Sequence, residues 1–229
     1  MRVFHDPEEL GAELAAEIVR LEPGVLGCPG GRSLVSTYRA LASSGADLSR
    51  TTIAMMDEYV PVPPTSAHYS CRGFALREIA GPLRIPEERV WLPDPDDPAA
   101  YDDRLAAAGG VDLFLLASGA SDGHVAFLPP GSPLDGGTRV VELAESTRRD
   151  NVETFPGFSS VDDVPRHGVS VGLGTIRRAR RVRLVLHGAG KRAAAARVRA
   201  LERFDHAWPA SVVHVCADAE IWLDEAAAA

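Results

Sequence analysis

Residues 119 to 127 read Gly-Ala-Ser-Asp-Gly-His-Val-Ala-Phe and set Asp122 and His124 on either side of a glycine. A carboxylate and an imidazole at that spacing can hold a charge and shuttle a proton near neutral pH, because histidine titrates there unperturbed. A plainer reading also exists, with the Asp capping the next element and the His hydrogen-bonded in place. The apolar run from Val111 to Ala117 just before them reads as a buried parallel strand, and open α/β sheets bind ligands in loops beyond the carboxyl ends of their strands. Acid–base chemistry at a cleft is therefore the leading reading.

Three further segments repeat this strand-then-loop pattern. Gly27-Cys28-Pro29-Gly30-Gly31-Arg32-Ser33 follows an apolar run and opens a helix, where backbone N–H groups and the helix dipole favour an anion. Its spacing matches neither a nucleotide P-loop nor a dinucleotide fingerprint, so it reads as a phosphate cradle or as a simple tight turn. Met55-Met56-Asp57-Glu58-Tyr59 ends the next strand with two carboxylates, and in extended backbone only one of them can face a cleft. A partly desolvated Asp57 there is a usable general base, with a solvated acidic turn as the alternative. His187-Gly188-Ala189-Gly190-Lys191 puts an ammonium near a helix start, an unfavourable place unless it serves an anion.

The elements that must position these groups read as alternating strands and helices. Short apolar runs predict strands at 25–27, 52–56, 90–92, 111–117, 138–143, 168–171, 182–186 and 212–216. Leu10, Leu14, Ile18 and Leu21 recur at helical spacing, with Asp6 as N-cap and Pro7 at the first helical position. Further helices are expected at 33–42, 73–80, 98–108 and 190–204. The alternation implies a doubly wound, mostly parallel α/β sheet with helices on both faces, and no linker or repeat divides residues 1–229, which read as a single domain.

The totals agree. Apolar residues make up 45% and charged residues 24% of the 229, an ordinary globular composition. The net charge of −8 argues against nonspecific attraction to nucleic acid or anionic membrane, so an anionic ligand must be met by local cations. Cys28, Cys71 and Cys216 form no Cys-x-x-Cys pair, and neither they nor the histidines show metal-ligand spacing. A reducing cytoplasm fits, since no signal-like or membrane-spanning apolar stretch is present. His68, in the segment after the Asp57 strand, reads as a surface-loop residue or a cleft residue.

The four segments, in this order, resemble the glucosamine-6-phosphate deaminase/isomerase and 6-phosphogluconolactonase superfamily. Asp57-Glu58-Tyr59-Val60 is similar to a deaminase motif, and Asp122-Gly123-His124 to one shared by both branches. The stretches 138–143, 145–148 and 165–175 also follow the deaminase pattern, and the resemblance spans roughly residues 2 to 227. It implies Asp57 as the base that moves a proton between C2 and C1 of an amino sugar phosphate. It further implies His124 as the ring-opening group with Asp122 in support, and the backbone of Gly30, Gly31, Arg32 and Ser33 with Lys191 as phosphate holders. No metal or organic cofactor is implied. The expected partner is a small sugar or sugar phosphate, with an oligomer left open.

Three departures from the pattern bear on the activity. Leu128, Pro129 and Pro130 replace the deaminase Asn-Glu-Pro, removing the carboxylate that pairs with the histidine, and residues 126–133 look more like a lactonase loop. Glu153 stands where deaminases carry a phosphate-binding arginine, which makes repulsion of a clamp unless Arg32 or Arg148 compensates. Tyr59 stands where lactonases carry an arginine. The resulting readings are an amino-sugar deaminase/isomerase, then a sugar lactone hydrolase, then a noncatalytic sugar-phosphate-binding protein.

Overall fold

The computed structural model describes residues 1–155 and 157–229. The chain runs β1 (Arg2–Phe4), α1 (Pro7–Leu21), β2 (Val25–Cys28), α2 (Val35–Ser44), β3 (Thr52–Met55), β4 (Asp57–Val60), α3 (Cys71–Phe74) and α4 (Gly81–Leu83). A π-helical stretch, Ala75–Ala80, joins the last two. Then follow β5 (Val90–Trp91), α5 (Pro98–Ala107), β6 (Leu113–Ala117), β7 (Arg139–Glu142), α6 (Glu145–Thr154) and β8 (His167–Ser170). The chain closes with α7 (Leu173–Arg177), β9 (Val182–Leu186), α8 (Arg192–Ala200), β10 (Ala219–Asp224) and α9 (Glu225–Ala228).

Seven strands form one sheet in the order β1-β10-β9-β6-β2-β3-β5, and every neighbouring pair is parallel. Alternate side chains of each strand enter opposite cores. Leu26, Ile53, Leu113 and Leu115 pack with Leu10, Leu14, Ile18 and Leu41 on one face. Val25, Ala54, Phe114 and Leu116 pack with Tyr101, Leu105, Ile176 and Val198 on the other. Two-sided burial is why these strands are continuous apolar runs rather than alternating ones.

From β2 the chain builds outward through β3 to β5, then crosses back to lay β6 on the other flank of β2. The direction of winding reverses between β2 and β6, and such a switch point leaves a crevice outside the carboxyl ends of the two strands. The glycine-rich segment leaves β2 there, and the Asp122–His124 segment leaves β6.

A second, three-stranded antiparallel sheet, β4-β8-β7, corrects the expectation that 138–143 and 168–171 belong to the main sheet. The chain changes sheets at Met56, whose N–H still donates to Cys28 O (3.2 Å) while its carbonyl accepts from Val171 N (2.8 Å). Asp57 is consequently the first residue of a new strand rather than part of the end of the old one. The expected strand at 212–216 is a 3₁₀ segment, Pro209–Val215, opened by a proline. A short buried apolar run cannot be told from a helical one by its pattern alone.

Helix α1 matches its expected span, with the Asp6 side chain accepting from Glu9 N at 2.8 Å. Helix α6 is unanticipated, since its sequence has only Val152 as an apolar residue and buries Thr147 and Arg148. The edge strand β1 and the strand β10 are likewise unanticipated; β1 is only three residues long and β10 begins with partly exposed Ala219 and Glu220. Among the described residues no helix is long and apolar enough to cross a membrane.

Leu115, fully buried at the centre of the main sheet, tests the packing. Leu115→Ala is expected to lower unfolding free energy by about 2–5 kcal/mol, read from urea denaturation of the purified protein.

Candidate active site

The carboxyl ends of β2, β3, β6 and β9 converge on one cleft. Its lining brings together Gly30, Gly31, Arg32, Ser33, Asp57, His124 and Lys191, seven residues from four distant segments. Helix α6 closes one side with Asp150, Asn151 and Thr154, and Phe155 and Phe127 supply apolar wall. The cleft continues outward along Arg32, Asp150 and Lys191 to Glu153, His187 and Gly190.

The Asp122–His124 segment is held by close backbone contact. Asp122 Oδ1 accepts from the His124 backbone N–H (3.0 Å) and pairs with its ring Nδ1 (2.8 Å), and Ser146 Oγ donates to Asp122 Oδ2. A carboxylate only accepts, so Nδ1 carries the proton and Nε2 is the nitrogen left for a ligand. Burial works against the Asp122 charge, but the contacts from His124 and Ser146 outweigh it and hold the carboxyl well below its usual range. Two glycines make the arrangement possible. Gly123 has φ of +68°, and a Cβ on Gly119 would overlap both His124 Nδ1 and Asp122 Oδ1. Asp122 thus supports His124 as the resemblance implies, while the position of the deaminase Asn-Glu-Pro carboxylate holds Leu128, Pro129 and Pro130, so the Asp122 carboxylate alone pairs with the ring.

Asp57 and Glu58 separate as extended backbone requires. Glu58 turns away from the cleft and accepts from Cys71 N (3.0 Å), Arg72 N (2.9 Å) and Ser70 Oγ (3.2 Å), tying down the start of α3. Asp57 turns into the cleft, only 6% exposed. Burial raises its carboxyl to about 7; the Cys71 thiol, donating to Oδ1 at 3.4 Å, pulls the other way, and the nearby Glu58 charge adds to the rise. A carboxyl so placed changes charge in the range where a cellular enzyme works.

Elsewhere in the cleft lining, the backbone after β2 turns through Gly31 and a 3₁₀ turn, Arg32–Leu34, into α2. Lys191 sits at the N-cap of α8 and sends Nζ to Ser118 O at 2.7 Å, while His187 Nε2 lies 3.1 Å from Ser33 O. The β9 loop thereby links the β6 and β2 loops. Burial lowers the Lys191 ammonium, which the Asp150 charge partly offsets. The backbone turn, Arg32 and Lys191 bring together groups that can meet an anion, with the Asp150 and Glu153 carboxylates lining the same region.

Two expected ligands behave differently. Arg148 does not line the cleft; it is buried beneath α6, donating to Val164 O and Val161 O and pairing with Asp162 at 3.6 Å. Its guanidinium holds the loop after α6 and cannot stand in for a lost phosphate clamp. Glu153 lies at the rim, with its carboxylate 3.7 Å from the Arg32 guanidinium, both side chains largely exposed. His68 is exposed and packs edge-on to Tyr69 and Phe158. Cys71, Ser118, Asp150, Asn151 and Thr154 are cleft residues that motif reading passed over. Cys71 lies fourteen positions beyond its Asp57 partner, with no local pattern to announce it. Among the described residues no group of three or more His, Cys, Asp or Glu gathers as a metal site would require.

A fold with its cleft at the switch point of a parallel sheet, lined by Asp57, by His124 held by Asp122 and by a glycine-rich turn, agrees with the family comparison. Residues 7–222 match the family of glucosamine-6-phosphate isomerases/6-phosphogluconolactonase, and the chain belongs to it. Among its relatives is a glucosamine-6-phosphate deaminase of Rhodococcus jostii (strain RHA1), 39% identical over 95% of this chain and 85% of that protein. A solved monomeric glucosamine-6-phosphate deaminase superposes with a TM-score of 0.90 at 26% identity, covering 100% of this chain and 99% of that one. The 6-phosphogluconolactonase of Trypanosoma brucei shares the fold, with a TM-score of 0.76 at 21% identity over 99% and 96% of the two chains.

The raised Asp57 carboxyl has a consequence for stability. Its folded pKa lies above the unfolded value of about 3.9, so the folded state binds the proton more tightly. This group's contribution is full below pH 4 and is lost as pH rises through 7. Asp57→Asn is thus expected to melt a few degrees above the parent at pH 8, with that advantage shrinking as pH falls below 7 and gone near pH 4, measured by calorimetry.

Proposed function

We propose that this protein is an amino-sugar phosphate deaminase/isomerase, acting on glucosamine 6-phosphate or a close analogue and releasing ammonia. The observation that carries the reading is the shared cleft: a buried carboxylate, an imidazole with Nε2 left for a ligand, a glycine-rich turn and two cations, Arg32 and Lys191, line it together. Close relatives bearing the deaminase name span nearly the whole chain, which supports the same activity. The reading takes residues 1–229 as one deaminase/isomerase-like domain, since the cleft draws on loops from both halves of the sequence.

The chemistry follows from these groups. With Nδ1 committed to Asp122, His124 exchanges a proton at Nε2 with the sugar's ring oxygen as the ring opens. Opening exposes an aldehyde at C1, which acidifies the hydrogen on C2. Asp57, ionised, takes that proton and returns it at C1, so the double bond moves and C2 is left as an imine. Water adds to the imine, the C–N bond breaks, and the ketose phosphate and ammonia leave; substrate plus one water balances the products. Holding the phosphate at Gly30–Ser33 and Lys191 fixes the carbons against the base, and such positioning supplies much of the acceleration. Asp57 near pH 7 is basic enough to take a carbon-bound proton while remaining ionised in a useful fraction of molecules.

Glu153 sets a cost on this scheme. A phosphate arriving at Arg32 must displace the Glu153 carboxylate, although an exposed pair of this kind is worth only about 0–1 kcal/mol. Phosphate binding is therefore weaker than with a cation at this position, but it is not blocked.

Asp57→Asn is expected to abolish exchange of the C2 hydrogen with solvent, followed by NMR in D₂O, while a phosphorylated amino sugar still binds. Exchange at the parental rate in that variant removes Asp57 from the role of base. Glu153→Arg is expected to lower KM for glucosamine 6-phosphate by about tenfold, corresponding to roughly 1.4 kcal/mol, with little change in kcat. An assay that finds hydrolysis of 6-phosphogluconolactone and no ammonia release would replace the deaminase reading with lactone hydrolysis.

A further inference from the structure

Asp57 sits in the cleft with few partners. The only hydrogen bond that its carboxylate receives among the described residues is the thiol of Cys71, at Oδ1 and 3.4 Å. Cys71 is itself 2% exposed, lines the same cleft, and is fixed through its backbone N–H, which donates to Glu58 Oε1 at 3.0 Å. Strand β4 therefore holds the thiol twice, once by the main chain through Glu58 and once by the side chain through Asp57. The same contact orients one oxygen of the base, and among the described residues Oδ2 has no donor.

The choice of donor matters. A thiol is a weak donor, whereas a hydroxyl or an amide in the same place would stabilise the carboxylate strongly and make it a poorer base. The other titratable groups around Asp57 are Glu58 on its own strand, Tyr59 next along it, and Tyr101, whose hydroxyl donates to Met55 O at 2.8 Å. Across the cleft lie His124, Lys191, Arg32 and Asp150. None of these gives Asp57 a hydrogen bond, so the orientation of its carboxylate rests on Cys71.

We infer that Cys71 is a positioning residue for the reaction: its S–H holds Asp57 Oδ1 so that Oδ2 faces the substrate carbon, and its weakness as a donor preserves the basicity of the carboxylate. The inference rests on the reading of Asp57 as the base. The buried, raised carboxyl described above is consistent with it.

Two substitutions test it because they push in opposite directions. Cys71→Ser supplies a stronger donor of similar size and is expected to move the acid limb of the kcat/KM profile down by about half a pH unit or more. Cys71→Ala removes the donor and is expected to move it up by a similar amount, with kcat reduced because the carboxylate is no longer oriented. Simple loss of packing would leave both limbs in place or displace them together, and either result overturns the inference. The carboxyl titration is also read without turnover, from the infrared band of Asp57 in the substrate-free protein, identified by its loss in Asp57→Asn. Opposite displacements of that band support the role of Cys71 even if the protein turns over no amino sugar. An unmoved band in a protein that does release ammonia overturns Cys71 and leaves the deaminase reading standing.

Discussion

The crossing of the chain back over β2 is the constraint from which the cleft follows. Parallel strands cannot be joined by tight turns, so each must be reached through a covering helix, and the sheet can grow from β2 in only two directions. With β3 and β5 on one flank, β6 takes the other rather than adding beyond β5, and the winding reverses there. The reversal leaves a gap outside the carboxyl ends of β2 and β6. A glycine-rich turn on one side and an Asp–His pair on the other are thus brought face to face by topology, without any contact between their sequences.

Within that gap, two carboxylates of the same type are given opposite tasks by their surroundings. Asp122 receives donors from a ring nitrogen, a backbone amide and a hydroxyl, so its charge is stabilised and it serves to orient His124. Asp57 receives a single thiol and apolar neighbours, so its charge is costly and its proton affinity high. Pairs of titratable groups pushed apart in this way mark acid–base sites. The instability that a buried charge brings is the same property that makes the group reactive, which is a common trade between stability and activity.

How far the sequence disclosed this depends on whether a signal was local. The parallel-strand runs at 25–28, 113–117 and 182–186 were legible because burial on both faces leaves a continuous apolar stretch. The strand-tip residues Asp57, His124 and Lys191 could be picked out because each follows such a stretch. Helix α6 escaped notice because its inward face is made of Thr147 and the stem of Arg148 rather than aliphatic residues. The antiparallel sheet escaped because β4 is written Asp-Glu-Tyr-Val and looks like a turn. The place of Arg148 is illegible for a related reason: nothing along the chain tells a guanidinium that grips main-chain carbonyls from one that awaits a phosphate. The partnerships of Asp57 with Cys71 and Asp122 with Ser146 join residues 14 and 24 positions apart and belong to the tertiary structure alone.

The joint at Met56 carries a further implication. Asp57 inherits its orientation from two ladders of pairing, one ending at Met55 beside Cys28 and the other beginning opposite Ser170. A slip of one place in the second ladder would turn Asp57 outward to cap a helix and bring Glu58, one methylene longer, in against the substrate. Correct strand alignment at this one peptide is therefore what separates a proton-transfer group from a structural cap, and it is enforced by the same face carrying fully buried Tyr59.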